Sequence, residues 1–592
     1  MYTDLRSFIA DLERQGQLVR VRAEVDPNQE ITVIQHRVIA AGGPALLFER
    51  VKGSAFRVVS NLFGTAQRVA MACGGPPHEL GGQLGRIGHH LMSPSLSGLW
   101  RAHKDLRKLT AVRMRRVRRA PILDHCIAPA NLGALPVLTC WPEDGGPFFT
   151  LPLVHTSDPH TGQGNLGIYR MQRFDADSTG MHWQIEKGGG FHFHTAAQMG
   201  KALPLSVILG GPPALVIAAV APLPEGMDER LFAAFLMGRP LDVVHRKQTG
   251  HRIPAQAEFV LEGQVHPGDR RVEGPFGDHF GHYSTAAEYP VFRVSRILAR
   301  RGAIYPATVV GKPVQEDYFI GEALQELTIP LLRLIKPAVV DLWAYPETGF
   351  HPLAVLSVRQ RYPKEALKFT LGMLGEGQVS LTKVMITVDP EVNVRDFRAV
   401  SGAIWQHLSP EGIHLLSPTA QDTLDFTGPA MNSGSRLILM ATRTAGGPYR
   451  TQAPPVPPAA GELHPGVRAV SACGPAFLIV QVEAHFSAFE MLCERLRHNG
   501  SAGRYPFHVI VGDDVPIDDM VMLLWGWFTR FDPDADLYPA GRRIVGNRLL
   551  LDFPIAIDAR WKKGYPRPVA FDPKIAQRVD EKWKHYGIAL RH

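Results

Sequence analysis

The chain has 592 residues, of which 45% are hydrophobic and 20% charged, and this excludes disorder, collagen and coiled coil as its main class. Its 64 Lys and Arg against 56 Asp and Glu leave a net charge of +8, mild for this length and suited to an anionic substrate. The five cysteines, Cys73, Cys126, Cys140, Cys473 and Cys493, form no C-x-x-C pair, which argues against a disulfide framework or a zinc ribbon and fits a reducing cytoplasm.

The first element reads as an amphipathic helix. Leu5, Phe8, Ile9 and Leu12 recur at helical spacing, Thr3 or Asp4 can cap it, and Gly16 ends it. Asp4, Arg6 and Asp11 stand where a signal peptide would be apolar. Strand-like runs follow at 18–21, 44–48 and 56–60, so residues 1–115 read as an N-terminal α/β domain. Basic residues cluster at 101–119. A nucleic-acid footprint is the sharp reading of them, and a solvated helix face or a connector is the plainer one; no nucleic-acid motif accompanies them, so no such partner is expected.

Residues 116–320 read as a β-rich domain, with short apolar runs punctuated by Gly and Pro at 135–138, 148–156, 165–172, 205–211 and 257–265, and one helix at 229–237. The uncharged stretch 205–224 is broken by Gly210, Gly211, Pro212, Pro213 and Pro222, so it predicts strand, turn and buried element, not a membrane span. Residues 321–452 alternate helix and strand patterns, as an α/β domain does. A Pro-rich linker at 453–466 opens an extension, 453–592. In that extension Val515, Ile517 and Asp519 match Val392, Val394 and Asp396 at one offset, and Trp-bearing helices follow both. A partial repeat of the preceding domain is one reading; two similar units arising by chance is the other.

Three constellations could carry chemistry. In the first, Asn165 offers an amide oxygen to a hard cation or a phosphate partner, and Arg170 a guanidinium fork for a carboxylate. On an ideal strand the two would face opposite sides unless a bulge intervenes. The second is MHWQIEKGGGFHFH at 181–194. Its glycines could wrap a phosphate, Lys187 could pair with that phosphate, and His192 and His194, alternating as on a strand, could bind metal or simply be exposed imidazoles. Trp183 could cover a ring or be core. In the third, Glu273 and Asp278 flank a Pro/Gly turn and could form a pair of acids in unlike environments, or Asp278 could only bond its own backbone. Glu229 opens the 229–237 helix, either as a dipole-matched acid or as a metal carboxylate.

NLGIYR at 165–170, MHW and KGGG at 181–190, PLPEGMDE at 222–229, LEG at 261–263 and EGPFGDHFGHY at 273–283 together resemble the UbiD-type decarboxylases, over residues 1–440. The resemblance implies a carboxy-lyase acting reversibly on an aromatic or α,β-unsaturated acid. It implies prenylated FMN, held through its phosphate by Mn²⁺ with K⁺ nearby, on a central split β-barrel. A flavin prenyltransferase would supply the cofactor, and the enzyme would be a cytoplasmic homo-oligomer, dimer or hexamer.

Carried over residue by residue, Asn165 and Glu229 would bind the metal, with His192 or His194 as a loosely aligned third ligand. Ile168, Tyr169, Arg170, Trp183, Gln184, Lys187 and Gly188 would line the cofactor, and Lys383 would reach it from the C-terminal domain. Arg170 and Glu273 would pair beside the reacting carbon, with Asp278 as the second acid. The family's closing segment is matched partly at 440–443 and again at 557–560, and this leaves the oligomer interface and substrate range open. The rival readings are a flavin reductase using ordinary FMN and a non-catalytic flavin- or metal-binding maturation partner. The expected fold class is α/β (α+β).

Overall fold

The computed structural model describes residues 1–92, 103–184, 187–224, 226–443 and 447–590. Residues 101–102 of the basic cluster, 185–186 of the glycine-rich stretch and 225 of PLPEGMDE lie outside them. The chain divides into two compact units, Met1–Leu331 with Pro566–His592, and Leu332–Tyr565.

The first unit opens with the helix Leu5–Arg14. Asp4 caps it by accepting from the Ser7 N–H at 2.8 Å, and the Ser7 hydroxyl completes a capping box. Leu5, Phe8, Ile9 and Leu12 are buried, as their spacing predicts. A four-stranded sheet runs in the order Leu18–Val25, Ala45–Val51, Arg57–Ser60 and Ile304–Pro306. The fourth strand arrives from some 250 residues away in sequence, so no local pattern points to it. Most of the described basic cluster is structural. His103–Leu109 is a helix, and Met114–Arg116 pairs in parallel with Leu241–His245, where Arg115 meets Asp242 at 2.6 Å.

The β-rich region forms an antiparallel sheet. Its order is Ser178–Gly180, Ala287–Ala299, Phe259–Glu273, Leu203–Leu209, Leu153–Ser157 and Gly164–Ile168, with His125–Ile127 pairing aside on Ala287–Ala299. Among the described residues the path stays open at its two ends and does not close into a barrel. One strand is much longer than the sequence suggests. The run read at 257–265 continues to Glu273, after a register shift between Val265 and Arg270. Such an irregularity re-aims the strand beyond it, and here that strand end carries Glu273.

The second unit holds two five-stranded sheets. The first runs Val339–Ala344, Leu353–Val358, Val384–Val388, Ser433–Ala441, Ile413–Ala420; the second runs Val467–Cys473, Phe477–Val482, Phe507–Gly512, Arg548–Asp558, Leu537–Val545. Chain order, neighbour order and the parallel or antiparallel sense of every pairing are the same in both. Asp396 caps Phe397–His407 and Asp519 caps Met520–Phe528, each through two backbone N–H groups. The sheets share one core. In it the Phe397 ring stacks on Phe477 at 5.6 Å and meets Trp527 and Phe528 edge-on at 5.7 and 5.9 Å.

All five cysteines are free, and no helix among the described residues is long and apolar enough to cross a membrane.

Candidate active site

The site is built where the open sheet ends. Gly164–Ile168 stops two residues before Arg170, so strand parity does not carry from Asn165 to Arg170, and the guanidinium turns inward. Phe259–Glu273 delivers its last residue to the same place, and Ser178–Gly180 delivers Gly180 and, just beyond, His182.

Arg170 is 7% exposed and Glu273 is fully buried. Arg170 Nε donates to Glu273 Oε1 at 3.2 Å, Nη1 to Asp278 Oδ2, and Nη2 to Ser284 Oγ at 2.9 Å. The guanidinium lies over the Phe276 ring at 4.9 Å. His182 Nδ1 stands 2.9 Å from Glu273 Oε1, and Gln184 Nε2 stands 3.3 Å from His182 Nε2. Glu273 Oε1 is therefore held twice, whereas Oε2 is buried without a hydrogen-bond partner. An unpartnered buried oxygen is costly unless it meets a ligand.

The surrounding charges fix the state of Asp278. Burial works to raise the Asp278 pKa, but the Arg170 charge and the His279 hydrogen bonds outweigh it and hold the carboxyl well below its usual range. Asp278 is therefore ionised at neutral pH. Burial and the Arg170 charge push His182 down against the pull of Glu273, so its imidazole is neutral. Its Nδ1–H donates to Glu273 while Gln184 donates to Nε2.

A second cluster lies at the other end of the same strand. Asn165 Nδ2 donates to Glu229 Oε1 at 2.9 Å, and the Leu166 N–H donates to Glu229 Oε2 at 2.8 Å. Burial raises the Glu229 pKa to about 7, partly offset by that N–H. Glu229 opens the helix Glu229–Met237, as its sequence position suggests.

The histidine pair departs from the strand reading. Gly188–Gln198 is a helix with the glycines in its first turn. His192 and His194 therefore do not share a face: His192 Nδ1 meets Thr156 Oγ1 at 2.8 Å, and His194 is exposed. Thr156 pairs with Asn165 across the sheet, which brings His192 to the neighbourhood of Asn165 and Glu229. Among the described residues, no three His, Cys, Asp or Glu converge as a metal cluster.

The glycines allow close packing. A β-carbon at 188 would stand 2.8 Å from Asn165 Nδ2, and one at 189 would stand 2.7 Å from Trp183 Nε1. Gly189 N–H donates to the Tyr169 hydroxyl at 3.2 Å, and that hydroxyl lies 3.3 Å from Asn165 Oδ1. Ile168 is half-buried at the strand end. Lys383 lies in the second unit, where it is buried and paired with Asp425 at 2.9 Å.

His182, Ser284, Gln172 and Asp144 belong to the site although the sequence reading gives them no role. His182 stands inside the quoted MHW motif, beside Trp183. Gln172 accepts from the Gly274 N–H at 2.8 Å, and Asp144 from Gly277 at 2.8 Å; nothing local in the sequence marks either contact.

Family models match three stretches of the chain. Residues 115–313 match the 3-octaprenyl-4-hydroxybenzoate carboxy-lyase Rift-related domain, 318–441 the C-terminal domain of that carboxy-lyase, and 9–87 its N-terminal domain. The chain belongs to the UbiD family. It is a carboxy-lyase, as the resemblance implies. A 4-hydroxybenzoate decarboxylase subunit from Chlamydia pneumoniae is 41% identical over 592 residues, covering 98% of each chain. A protein of Archaeoglobus fulgidus is 40% identical over 450 residues, covering 75% of this chain and 92% of its own. Among solved structures, the vanillic acid decarboxylase of Sedimentibacter hydroxybenzoicus in closed form is 26% identical with a TM-score of 0.67, covering 78% of this chain and 97% of its own. The UbiD-class enzyme HmfF of Pelotomaculum thermopropionicum, in an evolved dimeric form with prFMN, is 27% identical with a TM-score of 0.61, covering 76% and 97%. The UbiD domain matches end at 441, whereas the match to the Chlamydia relative covers 98% of the chain.

Proposed function

We propose that this UbiD-family enzyme removes CO₂, reversibly, from an aromatic or α,β-unsaturated carboxylic acid, using prenylated FMN. The observation that carries the reading is the buried cluster in which Arg170 is shared by Glu273 and Asp278 while Glu273 Oε2 is left unpartnered.

The residues present fit the cofactor. Trp183 Nε1 is buried without a partner beside the glycine turn. The N-terminus of Gly188–Gln198, preceded by Lys187, is a site suited to a phosphate. Asn165 and Glu229 offer hard oxygen donors, the chemistry that suits Mn²⁺, with His192 as a third candidate ligand and K⁺ as the companion ion. Tyr169, Ile168, Gln184 and Gly188 would line the group. When bound, prenylated FMN supplies the electron sink that loss of CO₂ requires and that no side chain here can provide.

The chain does the rest. Arg170 has five N–H donors and spends three on Glu273, Asp278 and Ser284. The remaining two orient the substrate carboxylate. Ionised Asp278 keeps Arg170 charged and in place. Glu273, with Oε1 fixed by Arg170 and His182, delivers a proton from Oε2 to the carbon that has lost CO₂. The burial that excludes water strengthens each of these interactions. The assembly is proposed to be a homo-oligomer, in line with the dimeric form described for HmfF, working in the reducing cytoplasm. Residues 453–565, with the strand order of the preceding sheet, are proposed to be a repeat of it.

The test is expression with and without a flavin prenyltransferase, followed by spectra and mass of the released ligand and an acid library watched for CO₂. Prenylated FMN only with the transferase, together with CO₂ release, is expected. Plain FMN in both cases with NADH oxidation would overturn the reading in favour of a flavin reductase.

A further inference from the structure

The loop 274–284 carries Asp278 and Ser284, two of the three partners of Arg170. One side of it is fixed by its own domain. Gly277 N–H donates to Asp144 Oδ1 at 2.8 Å, Gly145 N–H donates to the Pro275 carbonyl at 2.7 Å, and Asp144 also accepts from the Cys140 and Trp141 N–H groups at 2.9 and 2.8 Å. The other side is met by the far end of the chain. Tyr283 N–H donates to the Arg567 carbonyl and Val569 N–H to the Gly281 carbonyl, both at 3.0 Å, and His282 bridges Pro568 in antiparallel fashion.

We propose that the C-terminal segment 566–590 is a positioning element of the active site, a strap whose pairing with residues 281–283 holds the loop so that Asp278 and Ser284 meet Arg170. The connection is short. The Asp278 N–H donates to the His282 carbonyl at 3.1 Å, so the paired residues are also those that close the turn around Asp278. Packing repeats the message. A β-carbon at 277 would stand 2.2 Å from Trp141 Cδ1 and 2.7 Å from Val569 Cγ1, so the loop backbone is gripped between an indole and the strap's valine. Val569 is 2% exposed, and Phe571 stacks on Trp141 at 5.1 Å.

The strap is itself anchored. Asp572 caps the helix Pro573–Lys582 through the Lys574 N–H, Val579 is fully buried, and Arg37 donates to the Ala576 carbonyl at 3.1 Å. The Tyr586 hydroxyl donates to Glu30 Oε1 at 2.6 Å, in a buried pair. The segment lies beyond the residues that match the UbiD domains.

This inference rests on the proposed role of Asp278, and its test separates the two. Full-length enzyme is prepared as wild type, Val569→Pro, which removes the N–H donated to Gly281, and Val569→Ala, which trims the side chain over Gly277 and keeps that N–H. Hydrogen exchange of peptides spanning 274–284 is measured alongside kcat, KM and bound cofactor. For Val569→Pro, exchange of the loop rises about tenfold or more while Leu203–Leu209 keeps its protection. Its kcat falls by about tenfold to a hundredfold, the scale of a misplaced group near 1 Å, with KM and cofactor content within about twofold. Val569→Ala moves the same readouts in the same direction by a smaller factor, and it decides the matter if the proline variant does not fold. Unchanged loop exchange in a folded variant overturns the strap, whatever the activity. Raised exchange with unchanged kcat overturns its positioning role. A wild type without decarboxylase activity overturns the function proposed above, and with it the positioning role, while the exchange data still decide whether the strap holds the loop.

Discussion

A β-carbon on Gly180 would stand 2.4 Å from Glu273 Oε2, so the absence of a side chain at 180 is what lets the glutamate keep its place. The clash would fall on the far end of a flexible side chain, not on backbone. The Gly180→Ala variant should therefore fold, losing about 1–3 kcal/mol, while its carboxylate is driven from the position between Arg170 and His182. A denaturation curve near wild type with kcat reduced by about tenfold or more is the expected pair of results. A matched loss of both, or of neither, would separate Gly180 from the site.

Asp278→Asn addresses the ionised acid. The Asp278 pKa is depressed in the folded protein, so its ionisation stabilises the fold above the unfolded value, about 3.9, and that contribution is lost as pH falls through the folded value. The variant should be less stable than wild type by about 3–5 kcal/mol at pH 7, as expected when a buried charge loses its partner. The gap should persist down to about pH 4 and narrow below it. Urea denaturation across that range measures it; a gap already closing between pH 7 and 5 would mean that Asp278 is not held ionised.

Glu229→Gln keeps the side chain's shape and an oxygen for the Leu166 N–H, but removes the charge. Mn²⁺ at about a hundred times its Kd should stabilise the wild type by about 2.7 kcal/mol and the variant much less. Thermal melts with and without Mn²⁺, and after chelation, read this directly. Equal stabilisation of both proteins would place the metal elsewhere.

Phe397→Ala tests the shared core of the two similar sheets. The ring touches Phe477, Trp527 and Phe528 of the second sheet from a helix of the first. Its loss should cost about 3–5 kcal/mol and should loosen both sheets together. Hydrogen exchange should rise in Val384–Val388 and in Phe507–Gly512 alike; a rise confined to one would mean that the sheets are independent.

How much of this was legible in the sequence follows from distance along the chain. Arg170, Glu273, Asp278, Asn165 and Glu229 each lie in a short motif whose residues state their own chemistry, and the structure gathers them into two clusters on one strand and its flanks. The helix Leu5–Arg14 and its Asp4 cap were legible because both signals are local. FHFH reads as a strand because aromatic and histidine alternate with period two; the glycines instead form a helical first turn, and contacts of Phe193 with Trp183 at 5.0 Å and of His192 with Thr156 hold the helix in place. Asp144 and Gly277 lie 133 residues apart, and Val569 and Gly281 farther still. Their N–H to oxygen contacts leave no trace in either local pattern.

The central claim is that Glu273, with one oxygen fixed and the other available, returns the proton after CO₂ leaves. The most direct measurement is decarboxylation in D₂O by the cofactor-loaded wild type and Glu273→Gln, following CO₂ release and deuterium in the product together. Wild type should place deuterium on the carbon that bore the carboxylate. Glu273→Gln should bind the cofactor normally and lose about 10²–10⁴ in product formation, the usual worth of a positioned acid. A Glu273→Gln enzyme that forms deuterated product at the wild-type rate would contradict the account.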